Sequence, residues 1–359
     1  MAKRLLTSIV SLGFLSSVLL ASPAQADAAN LKGAGSSYAN KFITTCAVND
    51  PATAVTYNPG GSGSGRTAFA NGTVDFGASD AASSISSWSG SRASYTSSKF
   101  SYIPIVGGPI AVLYQIPGIT TGELRLDSLT IAKIYSGKIT KWNDPAIAAL
   151  QTSAVKSKLP SNPIRVVYRS ASSGTSENFT DYLRQTAPSV WTKAKNTTIA
   201  SGNPAGRMPA GSIGGANSQA LVSSVKSTKY SIGYADLSDA FSSKVPLATI
   251  KNAQGEWVAP TVAASSKFLE SFSGASGFNA STGAVTLNYT KKIAGAYNLS
   301  LVTYALADKG STSAKAAEVE AFVKYMINTC GPNKAASIGY SPITGNLKTK
   351  ALALAEAIS

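Results

Sequence analysis

Residues 164–183 read IRVVYRSASSGTSENFTDYL, and the change of character midway through this run decides the fold. Ile164 to Arg169 has the β-branched and aromatic content of a strand, and Glu177 to Leu183 continues as a helix. Between them stand small residues, four serines, a glycine and a threonine among them. A strand that hands over to a helix through small donors is where α/β proteins bind ligands. Unpaired backbone N–H groups at the helix mouth present partial positive charge there. Arg169 adds a full cation at that mouth.

The same junction recurs twice, in GAGSSYANKF (Gly33 to Phe42) and in PGGSGSGRTAF (Pro59 to Phe69). Glycine lets backbone approach a ligand, and serine or threonine caps a helix or donates outward. One such cluster is ordinary turn composition; three together point to a site. Around them AVTYN, VDFGAS, YIPIVGGPIAVLYQI, YSIGYA and LSLVTYALA read as strands. NDPAIAAL and LDSLTIAKIYSGK read as helices, started by Asp144 with Pro145 and by Asp127 or Ser128, the second stopped by Gly137. Strands alternating with helices predict an α/β fold with a parallel or mixed sheet. The serine-rich SSISSWSGSRASYTSS reads as a surface loop. Two nucleotide motifs fail: Arg66 replaces the lysine a P-loop requires after Gly65, and Tyr38 occupies the third glycine of a dinucleotide fingerprint.

Composition removes most chemistries. The 359 residues include no histidine and two cysteines, which excludes a Ser-His-Asp triad, a Cys-His pair and a histidine metal site. No metal or cofactor is expected, and no enzymatic function. Lys3 and Arg4 precede the apolar run Leu5 to Leu20, followed by Ala24-Gln25-Ala26, so residues 1–26 read as a secretory signal peptide. Loss of Lys3 and Arg4 takes the net charge from +15 to +13, which favours anionic partners. The basic residues are scattered, so nucleic acid is not expected. Cys46 in YANKFITTCA and Cys330 in VEAFVKYMINTCG both lie on apolar helical faces. An extracytoplasmic compartment, periplasmic or outside the cell, would oxidise them to a Cys46–Cys330 disulfide; two buried free thiols are the other reading.

Hydroxyls, amides and one arginine suit a compact tetrahedral oxyanion, since a guanidinium offers two parallel N–H donors. Asp75 and Asp80 are the only acids between Asp50 and Glu123, and Asp80 lies in the Gly/Ser-flanked NGTVDFGASDAAS. A carboxylate beside an anion repels it unless the anion carries a proton to share. Phosphate does near neutral pH; sulfate does not. Asp80 as a plain helix cap is the alternative.

GAGSSY, GGSGSG, NGTVDFGASDA, IPIVGGPIAVLYQIPG, LTIAKIYSGKITKWNDPAI and RSASSGTSENFTDYL, in this order, resemble the PstS-like phosphate-binding proteins of the phosphate ABC importer. The resemblance implies a two-lobed periplasmic-binding-protein fold of type 2, with the ligand in the interlobe cleft. The first lobe would comprise residues 27–107 and 236–359 and the second 108–235, with crossings near Val106 to Ile110 and Gly233 to Leu237. It implies phosphate held by Ser37, Tyr38 (chiefly its amide), Ser62 and Asp80 from one lobe and by Arg169, Ser173, Gly174 and Thr175 from the other. Delivery to the membrane subunits of an ABC permease by a monomeric carrier is implied as well. Ala171 departs from the family pattern, which often has there an acid that orients the arginine. Arg66 is a second basic contact or a solvated helix residue.

Overall fold

The computed structural model describes residues 29–82, 88–272 and 277–359. The expected signal peptide lies outside these, as do residues 83–87 of the serine-rich stretch. Among the described residues no helix is long and apolar enough to cross a membrane.

One strand organises the molecule. β4 (Phe100–Gln115) pairs antiparallel with β11 (Ser300–Asp308) over Phe100 to Pro109, then exchanges partners and pairs antiparallel with β8 (Ser231–Asp236) over Ile110 to Gln115. Its sequence is apolar without alternation because all but its last residue are buried, as expected of a strand covered on both faces. Proline has no N–H to give a sheet, and both prolines of β4 sit at breaks in the pairing. Pro104 lies where the register slips between Thr303 and Tyr304, and Pro109 where the partner changes.

On one side of β4 the order continues through β11 to β3 (Phe76–Ser79), β1 (Ala29–Gly35) and β2 (Thr53–Asn58), the last three parallel. On the other side it continues through β8 to β6 (Arg165–Arg169) and β7 (Ile213–Gly215), again parallel. The eight strands thus form one sheet with a βα half at each end, the two-lobed α/β architecture expected from the sequence. Helices α1 (Asn40–Asn49) and α2 (Ser62–Ala70) follow β1 and β2; α6 (Gly174–Thr186) and α7 (Ser218–Ser227) follow β6 and β7. The second half also carries α3 (Ser128–Tyr135), α4 (Pro145–Ala148) and α5 (Ser153–Lys156). Asp127 caps α3 by accepting from the Thr130 N–H at 2.8 Å, Asp144 caps α4 from Ala146 at 2.9 Å, and Gly137 closes α3 at φ 77°.

After β8 the chain does not return at once to the first half. α8 (Leu237–Ser243) packs on α7, and β9 (Thr249–Lys251) pairs with β5 (Arg125–Leu126) and β10 (Trp257–Val258) in a small second sheet. The Ala248 N–H donates to the Val112 carbonyl at 2.9 Å, which keeps this segment beside the second half. The chain after residue 236 thus stays beside the second half as far as β9. α9 (Val262–Glu270), packed on β4 and β11, restores the chain to the first half. α10 (Ala316–Tyr325) and α11 (Gly345–Ala355) complete it.

Cys46 on α1 and Cys330 form the disulfide, with Cα atoms 5.5 Å apart and both thiols buried. Val319, Phe322, Val323, Met326, Ile327 and Cys330 are all buried, as their spacing predicts. The helix differs from expectation in widening to π geometry over Met326–Ala335. Pro332 inside that segment has no N–H and its ring crowds the carbonyl one turn back, so ordinary i→i−4 bonding fails. Closing a loop of 284 residues stabilises the fold by about 5–6 kcal/mol through lost unfolded-state entropy. Of the serine-rich stretch, Arg92 is not a free loop residue: it forms a bidentate pair with Asp308 and lies 4.3 Å over the Phe69 ring.

Candidate functional site

The C-terminal ends of β1, β3 and β6 meet where the two halves face each other. Ser36 N–H donates to the Ala78 carbonyl at 2.9 Å and Gly61 N–H to the Gly35 carbonyl at 2.7 Å, which draws the C-terminal ends of β1, β2 and β3 together. α2 begins at Ser62 and so contains Gly63 and Gly65, each costing about 1 kcal/mol against alanine in a helix. Close packing requires them. A Cβ on Gly65 would fall 2.4 Å from the Gly35 Cα, and one on Gly63 2.4 Å from the Ser172 Oγ of the opposite half. Gly61, at φ 104°, brings backbone to the Arg169 guanidinium. A Cβ on Gly174 would lie 2.6 Å from Ser62 Oγ and 2.9 Å from Asp80 Cβ. The helix mouths of α2 and α6 therefore touch across the cleft, with Gly63 N–H donating to the Ser172 carbonyl at 3.3 Å.

Asp80 is the hub of this contact. It is buried and, among the described residues, caps no helix. Its Oδ1 accepts from Ser36 Oγ and, at 2.8 Å, from Thr303 Oγ1; its Oδ2 accepts from Ser62 Oγ and Thr175 Oγ1, each at 3.2 Å. Burial pushes its pKa above the usual carboxylate value, opposed by the Ser36 and Thr303 hydroxyls, the Arg169 charge and Ser62.

Arg169 ends β6 and is 2 % exposed. Nη1 donates to Ser173 Oγ and Nη2 to the Ala216 carbonyl, both at 3.1 Å, while Nε has no partner. Among the described residues this buried guanidinium N–H has no acceptor, which is costly. Desolvation lowers the Arg169 pKa, offset by Tyr234, Asp80 and Asp236. The Ala216 carbonyl holds the guanidinium in a chain where Ala171 carries no carboxylate. Ser173 caps α6, its Oγ accepting from Ser176 N–H at 3.2 Å as well as from Arg169, which leaves its own hydrogen to donate. The amides of Tyr38, Ser62, Gly174 and Thr175 donate to no group among the described residues.

The Ser37 and Tyr38 side chains find partners within the protein. Ser37 Oγ accepts from the Ser218 N–H at 3.1 Å and pairs with Ser218 Oγ at 3.1 Å, so its hydroxyl latches the mouth of α7. The Tyr38 phenol turns into the core, donating to the Pro109 carbonyl at 3.1 Å and packing edge-on against Tyr340; only its amide faces the mouth. Arg66 takes neither expected place, since its Nη1 donates to Ser79 Oγ at 2.8 Å.

Sequence reasoning missed Ser36, Thr303, Asn178 and the whole α7 mouth. Asn178 Nδ2 donates to the Asp80 carbonyl at 2.6 Å, and Tyr289 OH holds its Oδ1 at 2.9 Å. The α7 mouth, SIGGANSQA, has the same glycine and serine composition as the other three, with Asn217 capping Ala220 N–H at 2.9 Å. That signal was available. Thr303 carries none, being one strand residue among many. A cavity of about 120 Å³ opens beside Asp80, but Glu177 and Asp181 line it with Lys195. Its acids repel an anion.

The profile of the PBP superfamily domain matches residues 21–329. Phosphate-binding protein PstS 3 of Mycobacterium leprae is 33% identical over 327 residues, 90% of this chain and 83% of that protein. Phosphate-binding protein PstS of Methanocaldococcus jannaschii is 34% identical over 225 residues, 62% of this chain and 56% of its own. Among solved structures, a high affinity periplasmic phosphate-binding protein (PfluDING) bound with phosphate superposes with a TM-score of 0.68 at 20% identity, covering 90% of this chain and 93% of that one. A phosphate ABC transporter substrate-binding protein from Clostridium perfringens, described as putative in function and bound with phosphate, gives 0.59 at 16% identity, covering 88% and 100%. These two share the fold.

Proposed function

We propose, for a chain that belongs to the PstS phosphate-binding proteins of the PBP superfamily, that the cleft captures inorganic phosphate and delivers it to an ABC-type phosphate import permease. The observation that carries this reading is the unpartnered Nε of buried Arg169, facing a cleft whose opposite wall holds the buried acceptor Asp80. A guanidinium demands an oxyanion; a carboxylate tolerates one only if it brings a proton. Phosphate meets both conditions and sulfate meets one.

In this reading the amides of Tyr38, Ser62, Gly174 and Thr175 and the hydroxyls of Ser62, Ser173 and Thr175 surround the anion, and Ser37 contributes through its latch on α7. Asp80 takes the phosphate proton and Arg169 two of the oxygens. The donors come from both halves, so the site is whole only when the lobes are shut on each other. About ten charge-assisted hydrogen bonds, each worth about 1.5–3 kcal/mol, exceed the ~8 kcal/mol of micromolar binding, and the remainder offsets desolvation and closure. The chain acts as an exported monomeric carrier without turnover, and the permease favours the open form.

Calorimetric titration with phosphate, sulfate and arsenate at several pH values tests this. Saturable one-to-one phosphate binding with sulfate excluded is expected. Equal binding of sulfate removes the proton argument, and steady release of phosphate from an ester would make the chain a hydrolase instead.

A further inference from the structure

We propose that Thr303, together with Ser36, is a positioning residue that pins one oxygen of Asp80 and thereby aims the other at the ligand's proton, setting the preference for phosphate over sulfate. The proposal rests on the phosphate-binding reading of the cleft.

The two oxygens of Asp80 are treated differently. Oδ1 receives the short bonds, from Ser36 and from Thr303 at 2.8 Å. Oδ2 receives two at 3.2 Å, well beyond the 2.5–2.7 Å typical of a hydroxyl on a carboxylate. The donors on Oδ1 are tied to the first half of the fold. Ser36 accepts from the Ala39 N–H at 3.0 Å, so its single hydrogen is left for Asp80. Thr303 lies in β11, at the point where the register with β4 slips, Thr303 facing Val106 and Tyr304 facing Pro104. A bulge at that point sets the direction of the strand's side chains, a use common beside functional sites.

The donors on Oδ2 are Ser62 and Thr175, hydroxyls of the two helix mouths that close over the anion. Ser62 Oγ also accepts from the Asp80 N–H at 3.1 Å, and at 3.2 Å both hydroxyls hold Oδ2 more loosely than Thr303 holds Oδ1. A proton reaching Asp80 therefore arrives on Oδ2. With Oδ1 pinned by two donors the carboxylate stays an acceptor, and an aprotic oxyanion meets bare charge at Oδ2. Without Thr303 one of the bonds that oppose burial is lost and the Asp80 pKa rises further, which favours the protonated acid. That acid donates from Oδ2 and admits sulfate.

Other charges facing Asp80 are the Arg169 guanidinium from β6, Glu177 and Asp181 from α6, and Lys195, which pairs with Glu177 at 3.1 Å. The phenols of Tyr38, Tyr57 and Tyr304 also stand near, each raised by burial and uncharged. None of these is altered by a change at Thr303.

The test is Thr303→Val, which keeps the branched shape and removes the hydroxyl, titrated beside wild type with phosphate and sulfate from pH 5 to 8. The phosphate-to-sulfate affinity ratio falls about tenfold or more, the loss of one hydrogen bond to a charged group. The pH below which the ratio collapses moves up by about one unit. Thr303→Ser restores both. Ser36→Ala moves the ratio in the same direction and serves if Thr303→Val does not fold. A parallel loss of both anions with an unchanged ratio and pH profile overturns the proposal and assigns Thr303 to packing. Wild type that binds no phosphate overturns the functional reading instead, before any variant is compared.

Discussion

Asp80 and Asp236 make an instructive pair. They lie on either side of the β11–β4 strands, one just after β3 and one at the end of β8, and both are buried. Asp80 accepts four hydroxyls. Asp236 Oδ1 caps α8 from the Asp239 N–H at 2.7 Å, and its Oδ2 accepts no hydrogen bond among the described residues. Burial raises both pKa values. Asp236, whose neighbour Asp239 adds like charge, goes well above the usual range, while hydroxyls and Arg169 restrain Asp80. Equal burial thus yields two kinds of acid: one equipped to remain an acceptor, the other a helix cap that resists ionisation. Donor count and the sign of the neighbouring charge decide, not depth.

The charge of Arg169 reaches both carboxylates, so removing it has the largest effect. Arg169→Ala lowers phosphate affinity by about 100-fold or more, through the loss of two charge-assisted bonds. An unaltered calorimetric titration would place Arg169 outside the site and leave Asp80 as the sole reason to compare the two acids.

Next comes the carboxylates' exchange. Asp80→Asn reduces the phosphate-to-sulfate ratio about tenfold, whereas Asp236→Asn leaves it unchanged, since Asn still caps a helix and Asp236 touches no anion donor. Equal falls in both variants would mean that the general field of the cleft, rather than the hydroxyls on Asp80, selects the ligand.

The smallest effect is on stability. An acid whose folded pKa is raised stabilises the fold below its unfolded value of about 4, and that contribution is lost as pH rises through the folded value. Unfolding measured from pH 4 to 8 therefore shows wild type losing stability with rising pH through this group. Asp236→Asn removes up to about 1.4 kcal/mol per pH unit of that slope. Asp80→Asn removes less, because the hydroxyls leave its pKa less raised. Identical slopes for the two variants would end the distinction drawn from donor count.

Much of this was readable beforehand. The strand-to-helix junctions around Ser37, Ser62 and Ser173, the caps at Asp127 and Asp144 and the buried face of α10 follow from local composition and spacing, which act within a few residues of themselves. Other features were not. Thr303 is 223 positions from Asp80, and only the antiparallel pairing of β11 with β3 brings it there. The turn of Ser37 toward α7, the inward Tyr38 phenol and the docking of Arg66 on Ser79 each depend on a neighbour distant in the chain. So does the delayed return of the segment 237–251, held by an edge pairing between β5 and β9.

The chain's own order of residues determined which chemistry was on offer: small donors at helix mouths, one well-placed cation, few acids and no histidine. Those are properties of residue type and of spacings shorter than a helix turn. Tertiary structure alone decided which donors reach which oxygen of Asp80, that a fourth helix mouth joins the cleft, and that Asp236 stays apart as a cap. Hydrogen bonds act over about 3 Å, and only the packed sheet determines which distant residues come that close.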